Sequence, residues 1–158
     1  MSIQPQAFTV RYNGKVNPIV TQIALSCIEK KERYESKGLW DTGATGSAIT
    51  KTMAEKIGLM PVGQVEVGGV HGVQRVNWYF IHLEFYKGNV TIKLKVTECK
   101  SLGLTGAEML IGMDVILLGD FAITNNDGKT TMSYRLPSGR EIDFVKEIKS
   151  KKKYNESI

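Results

Sequence analysis

The stretch Leu39-Trp40-Asp41-Thr42-Gly43-Ala44 says more about fold and chemistry than any other part of the chain. Two large apolar residues lead into Asp41, a pattern typical of a buried strand that delivers a carboxylate to a turn. Gly43 and Gly46 follow closely, and glycines at this spacing favour a sharply bent backbone over a helix. The stretch therefore predicts a strand that ends in a tight loop bearing a carboxylate.

The residue types around Asp41 suit one kind of chemistry. Hydrolysis of a peptide bond without a metal or a covalent intermediate uses a water between two carboxyl groups, one ionised and one protonated. Two carboxyl groups in contact share a proton, because like charges so close cannot both ionise. Gly43 has no side chain, so two such loops can approach until their aspartates touch, and Thr42 offers a hydroxyl to join them. Ala44 lacks the hydroxyl with which a serine would stabilise the ionised pair, which predicts a pH optimum nearer neutrality.

Asp, Thr and Gly are also common in turns that have no catalytic role. The alternative interpretation of Asp41 is therefore a structural turn residue. The context favours catalysis. Apolar strands enter and leave the loop, and a long two-armed β pattern follows over residues 65–80, with Gly68-Gly69-Val70-His71-Gly72 at its tip. The glycines predict a flexible hairpin tip, in which His71 is either an exposed turn residue or a substrate contact.

The remaining segments predict an all-β domain with two short helices. Asn13-Gly14 predicts an opening hairpin between strands over residues 8–12 and 18–27, and residues 29–37 are expected to form a charged loop. Thr50 can cap a short helix that Gly58 ends, and a second short helix is expected over residues 113–118. Further strands are expected over residues 90–96, 108–111, 122–124, 131–136 and 142–145.

These elements together resemble the retropepsin-like aspartic proteases, which comprise the retroviral proteases and their cellular and bacterial relatives. The stretch Leu39-Trp40-Asp41-Thr42-Gly43-Ala44 resembles the family's apolar-apolar-Asp-Thr-Gly-Ala signature. Met109-Leu110-Ile111-Gly112-Met113-Asp114 resembles its later apolar-apolar-Gly-x-Asp/Asn element. Residues 54–59 and 67–72 look like the helix and the flap between the two signatures, so four elements occur in the family's order.

The resemblance implies a closed or partly open β-barrel with a flap hairpin and one or two short helices. It implies that Asp41 is the catalytic aspartate and that Thr42, Gly43 and Ala44 support the active-site loop. Gly112 is implied to pack against that loop, and no catalytic role is carried over to Asp114. The implied flap tip, which closes over the substrate, consists of Gly68, Gly69, Val70, His71 and Gly72. No metal or organic cofactor is expected.

The chain has one Asp-Thr-Gly and no internal repeat, and its 158 residues suit a single domain. Cleavage therefore requires two chains, most simply a two-fold symmetric homodimer that acts on peptide or protein substrates. We expect the protease domain over residues 1–145 and a mobile basic tail over residues 146–158. The alternative function is a non-catalytic dimerisation or peptide-binding module of the same fold.

Charge and composition limit the binding partners and the location that we expect for this chain. Of the net charge of +5, residues 146–153 contribute most, with five Lys and one Glu. A solvated terminal segment is the preferred interpretation; an acidic partner or nucleic acid is the alternative, and nucleic acid is not expected. No stretch approaches the roughly 20 apolar residues that span a bilayer, so no membrane association and a cytoplasmic location are expected. Cys27 and Cys99 are far apart and are expected to be reduced thiols outside any zinc site.

Overall fold

Strands dominate the computed structural model, which describes residues 4–30, 32–69, 72–85 and 90–155, the last five by their backbone alone. The strands in these ranges are β1 (Gln6–Arg11), β2 (Val20–Cys27), β3 (Arg33–Trp40), β4 (Ala48–Thr50), β5 (Gly63–Gly69), β6 (Gly72–Phe85), β7 (Val90–Cys99), β8 (Met109–Ile111), β9 (Asp120–Asn126) and β10 (Lys129–Leu136). The helices are α1 (Lys51–Ile57), α2 (Met113–Ile116) and α3 (Phe144–Asn155), with a 3₁₀ turn at Gly103–Thr105.

Six strands close into a barrel in the order β2-β3-β8-β4-β7-β6, because β6 pairs with β7 on one side and with β2 on the other. Among the described strands, β5 pairs with β6 alone and forms with it a hairpin that extends the sheet. β3 and β8 run parallel, from Gly38 opposite Met109 to Trp40 opposite Ile111. Their ends, and with them Asp41 and Gly112, therefore lie at the same edge of the barrel. The predicted all-β barrel is confirmed, and the two-armed β pattern predicted over residues 65–80 lies within the β5–β6 hairpin.

An aromatic cluster joins the barrel to a separate three-stranded sheet of order β1-β10-β9. Trp40, the last residue of β3, is 6% exposed and stacks on Phe85 and Phe121 at centroid distances of 5.4 and 5.2 Å. Phe8 of β1 and Tyr134 of β10 pack on the same ring, at 6.3 and 5.2 Å. Burial of such large rings is a major source of stability, and here it fixes the strand that leads into Asp41.

The predicted opening hairpin is wrong. β1 pairs antiparallel with β10, with Phe8 opposite Tyr134, while β2 pairs with β3 and β6. The Asn-Gly segment bonds to β10 instead of turning the chain back onto β1: the Thr130 N–H donates to the Gly14 carbonyl at 3.0 Å. Burial of Phe8 in the aromatic cluster outweighs the local preference of the Asn-Gly pair for a hairpin turn.

The charged loop expected over residues 29–37 is in large part strand. In β3 the exposed residues Arg33, Glu35 and Lys37 alternate with buried Ser36 and Gly38. The alternation has the strand period, but two of its inward positions, Ser36 and Gly38, are small rather than apolar. A hydrophobicity pattern therefore does not reveal them.

The strand expected over residues 142–145 is also wrong, because α3 begins at Phe144. Asp143 caps this helix: its Oδ1 accepts hydrogen bonds from the backbone N–H groups of Val145 and Lys146 at 2.9 and 3.1 Å. Aspartate before a lysine-rich run is a typical helix start. Most of the basic segment 146–158 lies in this third helix. No helix in the described ranges is long and apolar enough to span a bilayer.

Asp120 holds the segment after β10 against the three-stranded sheet. Its carboxylate accepts hydrogen bonds from the Gly139 N–H at 2.9 Å, from the Ser138 hydroxyl at 2.6 Å and from Arg135 Nε at 2.9 Å. These three groups, named in decreasing order of their effect, hold the pKa of Asp120 well below its ordinary value. The ionised carboxylate is thus favoured by folding.

We expect Asp120→Asn to lower the melting temperature near neutral pH, by an amount that shrinks on acidification. A carboxyl group whose pKa is depressed by folding stabilises the protein above its unfolded-state pKa of about 3.9, and this stabilisation is lost as the pH falls through the folded-state value. Melting temperatures of both proteins between about pH 7 and pH 2 measure the effect. Asp127→Asn, in the β9–β10 turn, is the charge-matched control. A difference in melting temperature between the wild type and Asp120→Asn that stays constant at all pH values contradicts the prediction.

Candidate active site

Asp41 occupies the first position after β3, where a short network of hydrogen bonds fixes its backbone and one carboxylate oxygen. Its N–H donates to the Ile111 carbonyl at 3.0 Å, and its carbonyl accepts from the Ala44 N–H at 3.3 Å. Oδ1 accepts from the Gly43 N–H at 2.8 Å. The described residues give Oδ2 no hydrogen-bond donor. One carboxylate oxygen is therefore oriented by the loop and the other is open.

The tip of the loop faces solvent. Thr42 and Gly43 are exposed while Asp41 is half-buried, and the Thr42 hydroxyl has no hydrogen-bond partner in the part of the chain that the structure describes. A Cβ at Gly43 would lie 3.1 Å from Asp41 Oδ1, closer than ordinary packing allows. The loop thus presents a carboxylate, a free hydroxyl and bare backbone on one surface.

Gly112 lies against the other side of the same loop. A Cβ there would come within 2.7 Å of the backbone C and O of Gly46 and within 3.0 Å of the Ala44 carbonyl oxygen. The Met113 N–H donates to that Ala44 carbonyl at 2.8 Å, and the Asp114 N–H donates to the Thr45 carbonyl at 3.2 Å. The start of α2 therefore supports the loop through backbone contacts, which require a residue without a side chain at Gly112.

Ser47 and Asp114 complete this support. Asp114 accepts from the Ser47 N–H through Oδ2 at 2.9 Å and from the Ser47 hydroxyl through Oδ1 at 2.7 Å. The Ser47 hydroxyl oxygen in turn accepts from the Gly112 N–H at 3.0 Å. Ser47 is only 2% exposed. Ser47 was not among the site residues predicted from sequence; the available signal was a small polar residue between the glycine loop and an apolar strand.

We expect Ser47→Ala to destabilise the protein by about 1–3 kcal/mol, because it leaves the buried Gly112 N–H without its acceptor and removes the hydroxyl that donates to Asp114 Oδ1. Urea unfolding followed by tryptophan fluorescence measures the change. Ser150→Ala removes an exposed hydroxyl on α3, which donates to the Lys146 carbonyl at 2.9 Å, and serves as the control. Equal stabilities of the two variants would show that the buried network contributes nothing.

The β5–β6 hairpin stands over a cleft near this loop. Its strands pair from Gly63 opposite Trp78 to Gly69 opposite Gly72. Val70 and His71, predicted at its tip, lie outside the described residues. Gly68, Gly69 and Gly72 line a cleft of about 390 Å³, together with residues of β4 and β7. Ala48, which opens β4 directly after the Asp41 loop, lines the cleft as well.

The base of the hairpin is anchored to β7 by Glu98. Its Oε2 accepts a hydrogen bond from Asn77 Nδ2 at 3.2 Å and a short one from the Tyr79 hydroxyl. Two effects raise the pKa of Tyr79 to about 12: burial of the hydroxyl is the larger cause, and its hydrogen bond to Glu98 is the second. Adjacent residues of a strand point to opposite faces: Tyr79 is buried, at 4% exposed, and Trp78 lies on the outer face.

The structure thus brings part of the predicted site together. Asp41, Thr42, Gly43 and Ala44 share one loop, and Gly112 touches it. The described hairpin glycines line the neighbouring cleft. Within the described ranges, no three His, Cys, Asp or Glu side chains converge as metal ligands.

Comparison with known proteins gives a family and a fold. Residues 31–117, more than half of the chain, match the family described as "gag-polyprotein putative aspartyl protease". No curated protein matches at a significant level. The structure is similar to that of EIAV protease complexed with the inhibitor HBY-793, with 19% identity and a TM-score of 0.52 over 68% of this chain and 91% of that one. A retropepsin-like aspartic protease from Rickettsia conorii gives 14% identity and a TM-score of 0.50 over 84% and 96%.

The matched region contains β3, the Asp41 loop, α1, the β5–β6 hairpin, β7, β8 and α2. It thus includes both segments on which the sequence resemblance rests. The two solved structures are too distant in sequence to show more than the fold, and they agree on it. The chain belongs to the gag-polyprotein aspartyl protease family and has a retropepsin-like fold.

Proposed function

We propose that this protein is an aspartic endopeptidase whose catalytic pair is formed by the Asp41 residues of two identical chains. The observation that carries the proposal is the exposed Asp41 loop, which holds Oδ1 through the Gly43 N–H at 2.8 Å and leaves Oδ2 open. Gly112 and α2 support the loop from behind, so the carboxylate is oriented before any substrate binds. Catalytic groups held in this way need little reorganisation during the reaction.

The proposed reaction uses one water and one shared proton. The ionised Asp41 takes a proton from the water as the water oxygen attacks the substrate carbonyl carbon, while the protonated Asp41 transfers its proton to the carbonyl oxygen. A tetrahedral diol results, and the two aspartates have exchanged protonation states. The aspartate that took the water proton then gives it to the nitrogen as the carbon–nitrogen bond breaks, the other aspartate takes a proton from a diol hydroxyl, and an acid and an amine leave the site. The protein's own carboxyl groups supply every proton transfer in this sequence.

Residues 65–80 of the β5–β6 hairpin are proposed as a flap that covers an extended peptide. Peptides bind in this mode by strand-like backbone hydrogen bonds, and pockets take alternate side chains. Val67 and Val76 line the cleft beneath the hairpin and are suited to apolar substrate side chains. Gly68, Gly69 and Gly72 leave room for the peptide backbone.

Homodimer formation is part of the proposal, because each chain has one Asp-Thr-Gly. The exposed Thr42 hydroxyl and the bare backbone at Gly43 suit contact with the same loop of a second chain. Residues 1–145 form the proposed protease domain, and residues 146–158 a basic appended segment. We also propose a cytoplasmic location, in keeping with the free thiols of Cys27 and Cys99.

Sedimentation velocity tests the dimer directly. We expect a two-chain species that becomes more populated as protein concentration rises or a peptide inhibitor is added. The same species is expected for Lys15→Glu, a change of charge at an exposed residue outside the Asp41 loop. Monomers alone at the concentration used for activity, with peptide present, would contradict a site built from two chains.

Activity is tested with a diverse peptide library between about pH 4 and pH 7, with and without an inhibitor that carries a transition-state-like hydroxyl. We expect cleavage that the inhibitor blocks. Binding of peptides without any cleavage would favour a non-catalytic peptide-binding module instead.

A further inference from the structure

A second cleft, of about 420 Å³, lies at the base of the β5–β6 hairpin and shares no described lining residue with the cleft beneath it. Residues 27–30, from the last residue of β2 onward, form one wall, and residues 58–60, after α1, form another. Phe80 and Lys93 complete it from β6 and β7. Phe80 points away from the barrel interior, since its neighbours Tyr79 and Ile81 are buried.

The opening of this cleft exposes large apolar side chains. Met60 is 82% exposed, Val62 55% and Phe80 40%. Single exposed apolar residues are common on soluble proteins, but three around one concave opening are typical of an interaction site. The cleft is therefore shaped to receive a large apolar side chain.

The rim is basic. Lys30 and Lys93 line the cleft, and Lys95 lies two residues further along β7. None of these lysines forms an ion pair with a carboxylate in the described ranges, and Glu29 is the one acidic residue that lines the cleft there. Unpaired ammonium groups around an apolar opening are complementary to carboxylates that flank an apolar side chain.

We propose that this cleft docks an acidic protein segment, with a large apolar side chain in the cleft and Asp or Glu residues paired with Lys30 and Lys93. Burial of the apolar side chain supplies the affinity. The carboxylates fix its register and speed the encounter. The site is independent of Asp41, so it does not depend on the proposed protease activity.

The aromatic residues next to the cleft favour a peptide over single-stranded nucleic acid. Nucleic-acid platforms stack bases on open aromatic faces. Here Lys95 Nζ lies 4.4 Å from the centroid of Trp78, and Lys93 Nζ lies 5.3 Å from that of Phe80. Both rings are thus in cation–π contact on a face that a base would need. The lysine stems also extend the apolar surface around the opening.

The experiment measures fluorescence anisotropy of a short labelled peptide in which two leucines are flanked by glutamates. The full chain is used with Asp41→Asn, so that cleavage cannot destroy the probe. We expect saturable binding that weakens at least about tenfold in Lys30→Glu/Lys93→Glu, since both charge pairs become repulsive. Lys15→Glu/Lys129→Glu makes the same charge change on exposed residues of the three-stranded sheet region, and we expect less than about a twofold effect.

A second variant tests the apolar part. Met60→Ser alters a side chain that is 82% exposed, so folding is not at risk, and we expect binding to weaken several-fold. Three results would overturn the proposal: equal losses in the two lysine pairs, equal binding of a probe with serines in place of leucines, or tighter and competing binding of oligo(dT). The first two would indicate nonspecific charge attraction, and the third would indicate nucleic acid.

Discussion

Asp41→Asn is expected to lower the rate of peptide cleavage by at least about 10³-fold, because a symmetric dimer then loses both its general base and its general acid. The fold should be unaffected. Asparagine has the same shape, its amide oxygen can accept the same hydrogen bond from the Gly43 N–H, and the residue is only half-buried. Initial rates on a cleaved library peptide, together with melting temperatures, measure both effects.

Asp127→Asn is the matched control for this change. It removes the same charge from an exposed turn between β9 and β10. Asparagine also tolerates the left-handed conformation of that residue, whose φ is 49°. The control should cleave at the wild-type rate. Appreciable cleavage by Asp41→Asn, inhibited by the same hydroxyl compound, would remove Asp41 from the mechanism.

Gly112→Ala is expected to reduce both stability and activity. The added Cβ would lie 2.7 Å from the backbone C and O of Gly46, and backbone cannot move aside as a flexible side chain can. The φ of Gly112 is −92°, which any residue adopts, so the effect comes from crowding alone. Overpacking of this kind costs about 1–3 kcal/mol. A shift of the Asp41 loop by about 1 Å would cost roughly 10²-fold in rate.

Gly14→Ala tests whether the effect is specific to Gly112. Gly14 also has a negative φ, and a Cβ there meets nothing within 4 Å. Urea unfolding and initial rates of the two variants should therefore differ clearly, with Gly14→Ala close to wild type. A Gly112→Ala variant as stable and as active as Gly14→Ala would show that the loop does not need this close support.

The Asp41 loop could be predicted from sequence because its signals are local. Strand, turn and helix cap occupy one short stretch, and the Thr50 cap and the Gly58 end of α1 are where the sequence predicts them. Gly112 was found through a resemblance, and the structure gives the physical reason in its contact with Gly46. The catalytic and flap roles of these residues stay predictions.

The parts that the sequence did not reveal depend on contacts distant in the chain. β1 pairs with β10 because Phe8 and Tyr134 share one aromatic cluster, and no local pattern shows that partnership. Ser47 owes its role to Asp114, which is 67 positions away. α3 was missed for a different reason: Ile142, Phe144 and Val145 resemble part of a strand unless Asp143 is recognised as a helix cap.

The most direct test of a site shared by two chains is a mixing experiment. Wild-type and Asp41→Asn chains are refolded together at constant total concentration, and cleavage is measured against the wild-type fraction. If each site needs Asp41 from both chains, activity follows the square of that fraction, because mixed dimers are inactive. Activity that instead stays proportional to the amount of wild-type chain would show that one chain carries a complete site, and would contradict the account.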